Sequence, residues 1–214
     1  MDTLLDRLML LLILSDLTIL ALRRFSAVLG LLALQGGLLA ALALAAHQPD
    51  FTGRAVLLAL MGLVLRGVLF PWLLRRTARR AGIVEERRPF VGFVPSLLAG
   101  IGLLAAAMAI GARLPIGALP TLGLVVPASL FTVFTGVFLV VARRKALSQC
   151  VGYLVLDNGI YGFGVATVGN IPALVELGTL LDALVAVLVM AIAMYRLSEE
   201  FDHMNTDQLD TLRG

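Results

Sequence analysis

The chain has 214 residues, of which 60% are hydrophobic and only 14% are charged, with a formal net charge of +3. A soluble domain is usually about half apolar and about a quarter charged. Apolar runs recur along nearly the whole length, which argues against a soluble domain with a single anchor. The basic residues cluster in short loops beside these runs, which disfavours a nucleic-acid-binding protein.

Seven segments are apolar and long enough to span a membrane as helices, since a spanning helix needs about 20 apolar residues. They are residues 3–22, 25–46, 54–74, 95–112, 120–142, 148–168 and 173–195. The sequence therefore predicts an all-α fold, a polytopic membrane bundle of seven transmembrane helices. We expect no cleaved signal peptide before the first helix and a polar tail, residues 197–214, after the last.

The loop charges predict the orientation of this bundle. Arg7, Arg54 and Arg113 fall on one side of the predicted membrane, and thirteen basic residues fall on the other. The thirteen are Arg23, Arg24, Arg75, Arg76, Arg79, Arg80, Arg87, Arg88, Arg143, Arg144, Lys145, Arg196 and Arg213. Because basic loops stay in the cytoplasm, we expect an outside N-terminus and a cytoplasmic C-terminus. The basic loop 75–88 either sets topology alone or also binds anionic lipid or an acidic partner.

Four charged residues fall within the predicted spans, namely Asp16, Arg66, Asp157 and Asp182, and Glu176 lies near a helix end. Each such charge costs about 2.5–3.5 kcal/mol at a helix centre, so these side chains should point inward. A rise of about 1.5 Å per residue places Asp157 and Asp182 at the same level. Two interpretations remain open: an ion pair of Arg66 with one of the acids that fixes helix register, or a proton or ion relay.

The sixth predicted helix has two different faces, because successive residues are rotated by about 100°. One face carries the small residues Gly152, Gly159, Gly162 and Ala166. Small residues allow a neighbouring backbone to approach closely, so this face predicts tight helix packing. The opposite face places Tyr153 and Tyr161 one turn before and after Asp157. Either phenol can hydrogen-bond the acid or a water beside it.

Motifs for catalysis or metal binding are not recognisable in the sequence, which has no P-loop, HExxH, GxSxG or CxxC pattern. His47 and His203 are far apart in predicted loops, and Cys150 is the single cysteine. We therefore expect no cofactor, no metal and no active site of its own.

Residues 143–165, RRKALSQCVGYLVLDNGIYGFGV, resemble the signature helix of the hydrogenase-4 component E family. The family pattern is Q-x-x-G-[FY]-L-x-x-[ED]-N-G. The matching residues are Gln149, Gly152, Tyr153, Leu154, Asp157, Asn158 and Gly159. Residues 120–196 also resemble the K subunit of respiratory complex I and the C subunit of multisubunit cation/proton antiporters. That K subunit has a glutamate on each of its last two helices, and Asp157 and Asp182 fall near these positions.

The resemblance implies three regions: a four-helix region at 1–119, a K-subunit-like region at 120–196 and a cytoplasmic tail at 197–214. It implies a membrane-arm subunit of a complex-I-like hydrogenase or formate hydrogenlyase, in a bacterial or archaeal inner membrane. The expected partners are antiporter-like membrane subunits, membrane lipid and, indirectly, soluble hydrogenase and iron–sulfur subunits, with no nucleic acid. Such a subunit holds no redox centre and contributes buried carboxylates to proton or ion translocation.

In this interpretation Asp157 and Asp182 are the relay carboxylates, with Tyr153 and Tyr161 beside them and Arg66 as a charge modulator. Asp16 and Glu176 are possible additional relay groups. Two alternatives remain at this stage: a purely structural membrane scaffold and a small free-standing ion transporter.

Overall fold

The computed structural model describes residues 2–22, 24–46, 53–80, 92–113, 123–143 and 145–167, together with Gly178, Asp182 and Val185. The elements of regular structure in this part of the chain are all helices, which confirms the all-α class. They are α1 (Asp2–Ala21), α2 (Phe25–Ala46), α3 (Gly53–Gly62), a π-helical segment (Leu63–Leu69), α4 (Phe70–Arg80), α5 (Phe93–Gly111), α6 (Val125–Ala142) and α7 (Ala146–Thr167).

Helix α3, the π-helical segment and α4 join into one continuous helix over residues 53–80, which we call the composite helix. Gly62 and Phe70, at the two junctions, both have right-handed helical dihedral angles. The amide of Phe70 donates to the carbonyl of Leu65, five residues back, as in a π-helix. Pro71 follows at once, and its ring would clash with the carbonyl of Gly67 in a regular α-helix. The wider turn accommodates the proline without breaking the helix.

Among the described residues, three helices are long and apolar enough to cross a membrane: Phe25–Ala45, Val94–Gly111 and Val125–Ala142. Large apolar side chains such as Leu57, Val68, Leu98 and Val141 are more than half exposed on the outer surface of the bundle. Exposed apolar surface of this extent needs a lipid or protein environment. The chain is therefore a membrane protein.

The predicted count of seven spans and the predicted orientation stay predictions. The seventh predicted span, 173–195, lies outside the described residues apart from Gly178, Asp182 and Val185. Of the predicted basic loop 75–88, residues 75–80 are helical and form the end of α4, so the helix continues into the predicted loop. Residues 81–88 and the tail 197–214 lie outside the described residues.

Helices α6 and α7 pack backbone to backbone along a line of glycines. A Cβ atom on Gly136 of α6 would lie 2.3 Å from a main-chain nitrogen of α7. Cβ atoms on Gly152 and Gly159 of α7 would lie 2.7 and 2.5 Å from main-chain nitrogens of α6. Real Cβ atoms do not approach backbone so closely, so only glycine fits. The close packing predicted for this face of the sixth helix is confirmed at Gly152 and Gly159.

Two apolar clusters fill the bundle, and a level of polar side chains separates them. On α1 one cluster takes residues up to Leu12 and the other begins at Ile19. On α2 the order is reversed, with Leu32 in the second cluster and Leu39 in the first. The intervening positions on α1, α2, the composite helix, α6 and α7 carry buried polar residues, which we call the polar layer. Its members are Ser15, Asp16, Gln35, Arg66, Thr132, Asp157 and Asn158.

We predict that Gly159→Ala destabilises the protein by about 1–3 kcal/mol, the usual cost of overpacking a tight interface. The matched control is Gly164→Ala on the same helix, where an added Cβ meets nothing within 4 Å. Thermal unfolding of both variants in detergent, followed by fluorescence-detected size exclusion, measures the difference. Equal melting temperatures for the two variants would contradict the glycine contact.

Candidate functional site

Arg66 is the centre of the polar layer, and its side chain is only 3% exposed. It lies in the π-helical segment, where the backbone of α2 touches the composite helix. A Cβ on Gly36 of α2 would lie 2.6 Å from the carbonyl carbon of Arg66 and 2.6 Å from the nitrogen of Gly67. Because Gly36 has no side chain, the backbone of α2 packs directly against the π-helical segment. This contact fixes the position from which the guanidinium of Arg66 extends into the bundle.

Arg66 contacts two carboxyl groups through one nitrogen. Its Nη2 is 3.3 Å from Oδ2 of Asp157 and also pairs with Oδ2 of Asp182. Asp157 is 8% exposed and Asp182 is 21% exposed, so Asp182 is the more accessible acid. The sequence left open which acid Arg66 meets, and the structure answers that it meets both. We call these three residues the Arg66 cluster.

Two further residues of α7 complete the surroundings of the guanidinium. Nη1 of Arg66 donates to Oδ1 of Asn158 at 3.4 Å. The guanidinium carbon lies 4.1 Å from the centre of the Tyr161 ring, a cation–π contact. Tyr161 therefore supports the cation with its ring. The sequence predicted that a phenol, of Tyr153 or Tyr161, can hydrogen-bond Asp157 or a water beside it. A hydrogen bond from Tyr161 to Asp157 is absent from the described part of the chain.

Tyr153 also belongs to the predicted site, one turn before Asp157 on α7. It is half-buried, and its hydroxyl has no hydrogen bond within the residues that the structure describes. Glu176, a further predicted group, lies outside the described residues.

Asp16 lies in the polar layer but does not touch Arg66. It is fully buried, and Gln35 of α2 donates to its Oδ1 through Nε2 at 2.6 Å. Thr132 of α6 contacts its Oδ2 through Oγ1, also at 2.6 Å. The same Gln35 nitrogen donates to Oγ of Ser15 at 3.0 Å. The second carboxyl site therefore joins α1, α2 and α6.

One hydrogen bond connects this second site to the first. Nδ2 of Asn158 donates to Oε1 of Gln35 at 3.2 Å. A continuous network thus runs from Asp182 through Arg66, Asn158 and Gln35 to Asp16. The sequence did not predict this network, and Gln35 and Thr132 were assigned no role. The available signal was their position, since each is a polar residue near the middle of a mainly apolar span.

The charges of the Arg66 cluster determine its chemistry. One cation faces two acids, so the cluster is electrically neutral when one of the acids carries a proton. Because both acids contact the same nitrogen, a small movement of the guanidinium changes which acid it favours. The described residues contain no group of three or more metal-ligating His, Cys, Asp or Glu side chains. The arrangement suits proton exchange between carboxyls.

Comparison with known proteins gives one relative over nearly the full length. The chain is 34% identical over 204 residues to the uncharacterized protein Rv0085 of Mycobacterium tuberculosis, which covers 94% of this chain and 92% of the relative. Over 79 residues it is 29% identical to hydrogenase-4 component E of Escherichia coli K12, covering 37% of each chain. The Shigella flexneri protein of the same name matches to the same extent. No family model matches the chain, and no solved structure matches it.

We predict that Arg66→Met strongly destabilises the protein, because it leaves the buried Asp157 and the partly buried Asp182 without their cation. Breaking a buried ion pair on one side typically costs about 3–5 kcal/mol. The double variant Arg66→Met/Asp182→Asn removes one of the stranded acids and should recover part of the lost stability. Thermal unfolding in detergent compares the two variants with the original chain. An Arg66→Met protein as stable as the original would contradict the ion-pair geometry.

Proposed function

The chain belongs to the family of the uncharacterized Mycobacterium tuberculosis protein, and we propose that it is a membrane subunit of a hydrogenase complex. Its part in the complex is to carry protons through the membrane interior. The observation that carries this proposal is the buried guanidinium of Arg66, in contact with both Asp157 and Asp182.

The hydrogenase part of the proposal is supported by partial sequence similarity. The similarity to hydrogenase-4 component E covers 37% of the chain. The residues that resemble the signature pattern of that family, Gln149 to Gly159, lie on α7. Asp157 and Asn158 of that pattern contact the guanidinium of Arg66 through polar atoms. Two polar residues of the pattern therefore belong to the candidate site.

The proton-carrying role is supported by the charge and burial of the cluster. An ionisable group in a membrane interior is costly and is a candidate functional site by default. A simple structural ion pair needs one acid for one arginine, and here two acids share the cation. The extra acid has no structural purpose as an ion-pair partner, whereas a relay needs a donor and an acceptor. Asp182, the more exposed acid, is the entry or exit group, and Asp157 is the inner one.

The proposal includes the topology and partners that the sequence predicted. Seven spans run from an outside N-terminus to a cytoplasmic C-terminus, and the K-subunit-like region 120–196 supplies both relay acids. Antiporter-like subunits lie beside the chain in the membrane. Electron transfer takes place, in this proposal, in soluble hydrogenase and iron–sulfur subunits.

We predict that Asp157→Asn leaves the complex assembled but strongly lowers proton translocation, because asparagine keeps the shape of aspartate and cannot exchange the proton. The matched control is Asp6→Asn, a carboxyl of α1 outside the polar layer. Each variant is introduced into the native host, and the tagged chain is isolated with its partners in mild detergent. Hydrogen-driven acidification of inverted membrane vesicles, followed with a pH-sensitive dye, measures translocation.

Three outcomes separate the alternatives. Full translocation by Asp157→Asn, with assembly intact, would contradict the relay and favour a scaffold. Loss of assembly in Asp157→Asn alone would give the acid a structural role. A chain that purifies without hydrogenase subunits and moves ions after reconstitution by itself would indicate a free-standing transporter.

A further inference from the structure

Asp16 is a buried acid that the proposed relay does not use. No cation contacts it within the described part of the chain, and both of its oxygens bind neutral groups, Gln35 and Thr132. Helix α5 also packs against α1, and its sequence contains no charged residue. An acid in this setting needs a reason other than ion pairing.

The amide orientations between Asp16 and Arg66 follow from chemistry alone. A guanidinium can only donate, so Asn158 must present its oxygen to Arg66. The nitrogen of Asn158 then donates to the oxygen of Gln35, and the nitrogen of Gln35 donates to Oδ1 of Asp16. In each of these three hydrogen bonds, the donor lies on the side of Arg66 and the acceptor on the side of Asp16. Since Oδ1 must accept, a proton on Asp16 has to sit on Oδ2.

Thr132 allows that proton to be present or absent without breaking a hydrogen bond. Its hydroxyl oxygen lies 2.6 Å from Oδ2 of Asp16 and 3.0 Å from the carbonyl of Ala128. When Asp16 is ionised, the hydroxyl donates to Oδ2. When Oδ2 is protonated, Asp16 donates to the threonine oxygen, and the hydroxyl turns to donate to Ala128. Both protonation states are therefore fully hydrogen-bonded.

We propose that Asp16 is a third proton-binding carboxyl and that its charge is coupled to the Arg66 cluster through the side-chain amides of Gln35 and Asn158. The step is acid–base only: the Oδ2 oxygen of the carboxylate takes up a proton and later releases it. The amides carry no exchangeable acid proton of their own at this step, so they transmit charge and not the proton. An ionised Asp16 polarises the amides and strengthens the hold of Asn158 on Arg66. A protonated Asp16 weakens that hold.

The coupling deepens the proposed function and rests on it for its biological purpose. Through this coupling the Arg66 cluster responds to the protonation of Asp16, which lies on another helix, α1. The three acids and one cation of the network reach neutrality with two bound protons. A proton on Asp16 thus changes the affinity of Asp157 and Asp182 for the second proton.

The test uses infrared difference spectroscopy on the full chain in lipid nanodiscs, with pH steps at constant sodium. The original chain should show a carbonyl-stretch band of the protonated Asp16 that is absent in Asp16→Asn, while the band of the protonated acid in the Arg66 cluster remains. Thr132→Val, which keeps the shape but removes the hydroxyl, should move the midpoint of this band by about one pH unit, equivalent to a tenfold change in proton affinity. Thr132→Ser should restore it.

The coupling between the two sites is tested separately in the same experiment. Asp157→Asn should shift the pH midpoint of the Asp16 band. The same substitution in an Asn158→Ala background should leave that midpoint unchanged. An equal shift in both backgrounds would overturn the amide route. Superimposable spectra of the original chain and Asp16→Asn would overturn proton binding at Asp16. A band that responds to sodium at constant pH would replace the proton by a metal cation and overturn the proposal.

The result is independent of the vesicle measurement, because the spectroscopy needs neither partner subunits nor turnover. The two proposals can therefore fail separately. Asp16 can titrate although Asp157→Asn leaves translocation intact, and Asp157→Asn can abolish translocation although Asp16 does not titrate.

Discussion

The contact of one buried guanidinium with two carboxyl groups is the interaction on which the rest of the structure depends. Arg66 satisfies Asp157 and Asp182 with one nitrogen, Asn158 with the other, and Tyr161 with its flat face. A lysine has neither the planar fork nor the stacking face, so it would not reproduce this set of contacts. The composite helix, α7 and the side chain of Asp182 are held together at this point. The charge that joins them is also the charge on which the proposed proton exchange depends.

The apolar parts of the bundle enclose this polar layer and hold it in register. Apolar clusters lie on both sides of it, and hydrogen bonds inside a membrane protein must be satisfied internally. Glycine contacts set the distances: Gly136, Gly152 and Gly159 bring α6 and α7 together, and Gly36 brings α2 against the π-helical segment. Positions that look like mere packing therefore fix the geometry in which Asp16, Gln35 and Asn158 meet. These backbone contacts therefore set the geometry of the proposed proton site.

Counting residues along the chain predicted part of this arrangement and could not predict the rest. Depth alone placed Asp157 and Asp182 at one level, and the structure brings both to the same arginine nitrogen. The small face of the sixth helix was also readable from its glycines. Depth does not tell which helices are neighbours, so the path from Asn158 to Gln35 and Asp16 was not predictable. The π-helical segment was not predicted either. Pro71 was a signal for it, because its ring would clash with the carbonyl of Gly67, four residues earlier, in a regular α-helix.

The central claim is that Asp157 and Asp182 act as one unit on Arg66. The most direct test compares proton translocation by Asp157→Asn, Asp182→Asn and the double variant in the same assembled complex. Residues that serve a single step are strongly non-additive. If the two acids serve one step, the double variant loses no more proton translocation than the more impaired single variant. Losses that multiply in the double variant would show two independent paths and contradict the shared relay.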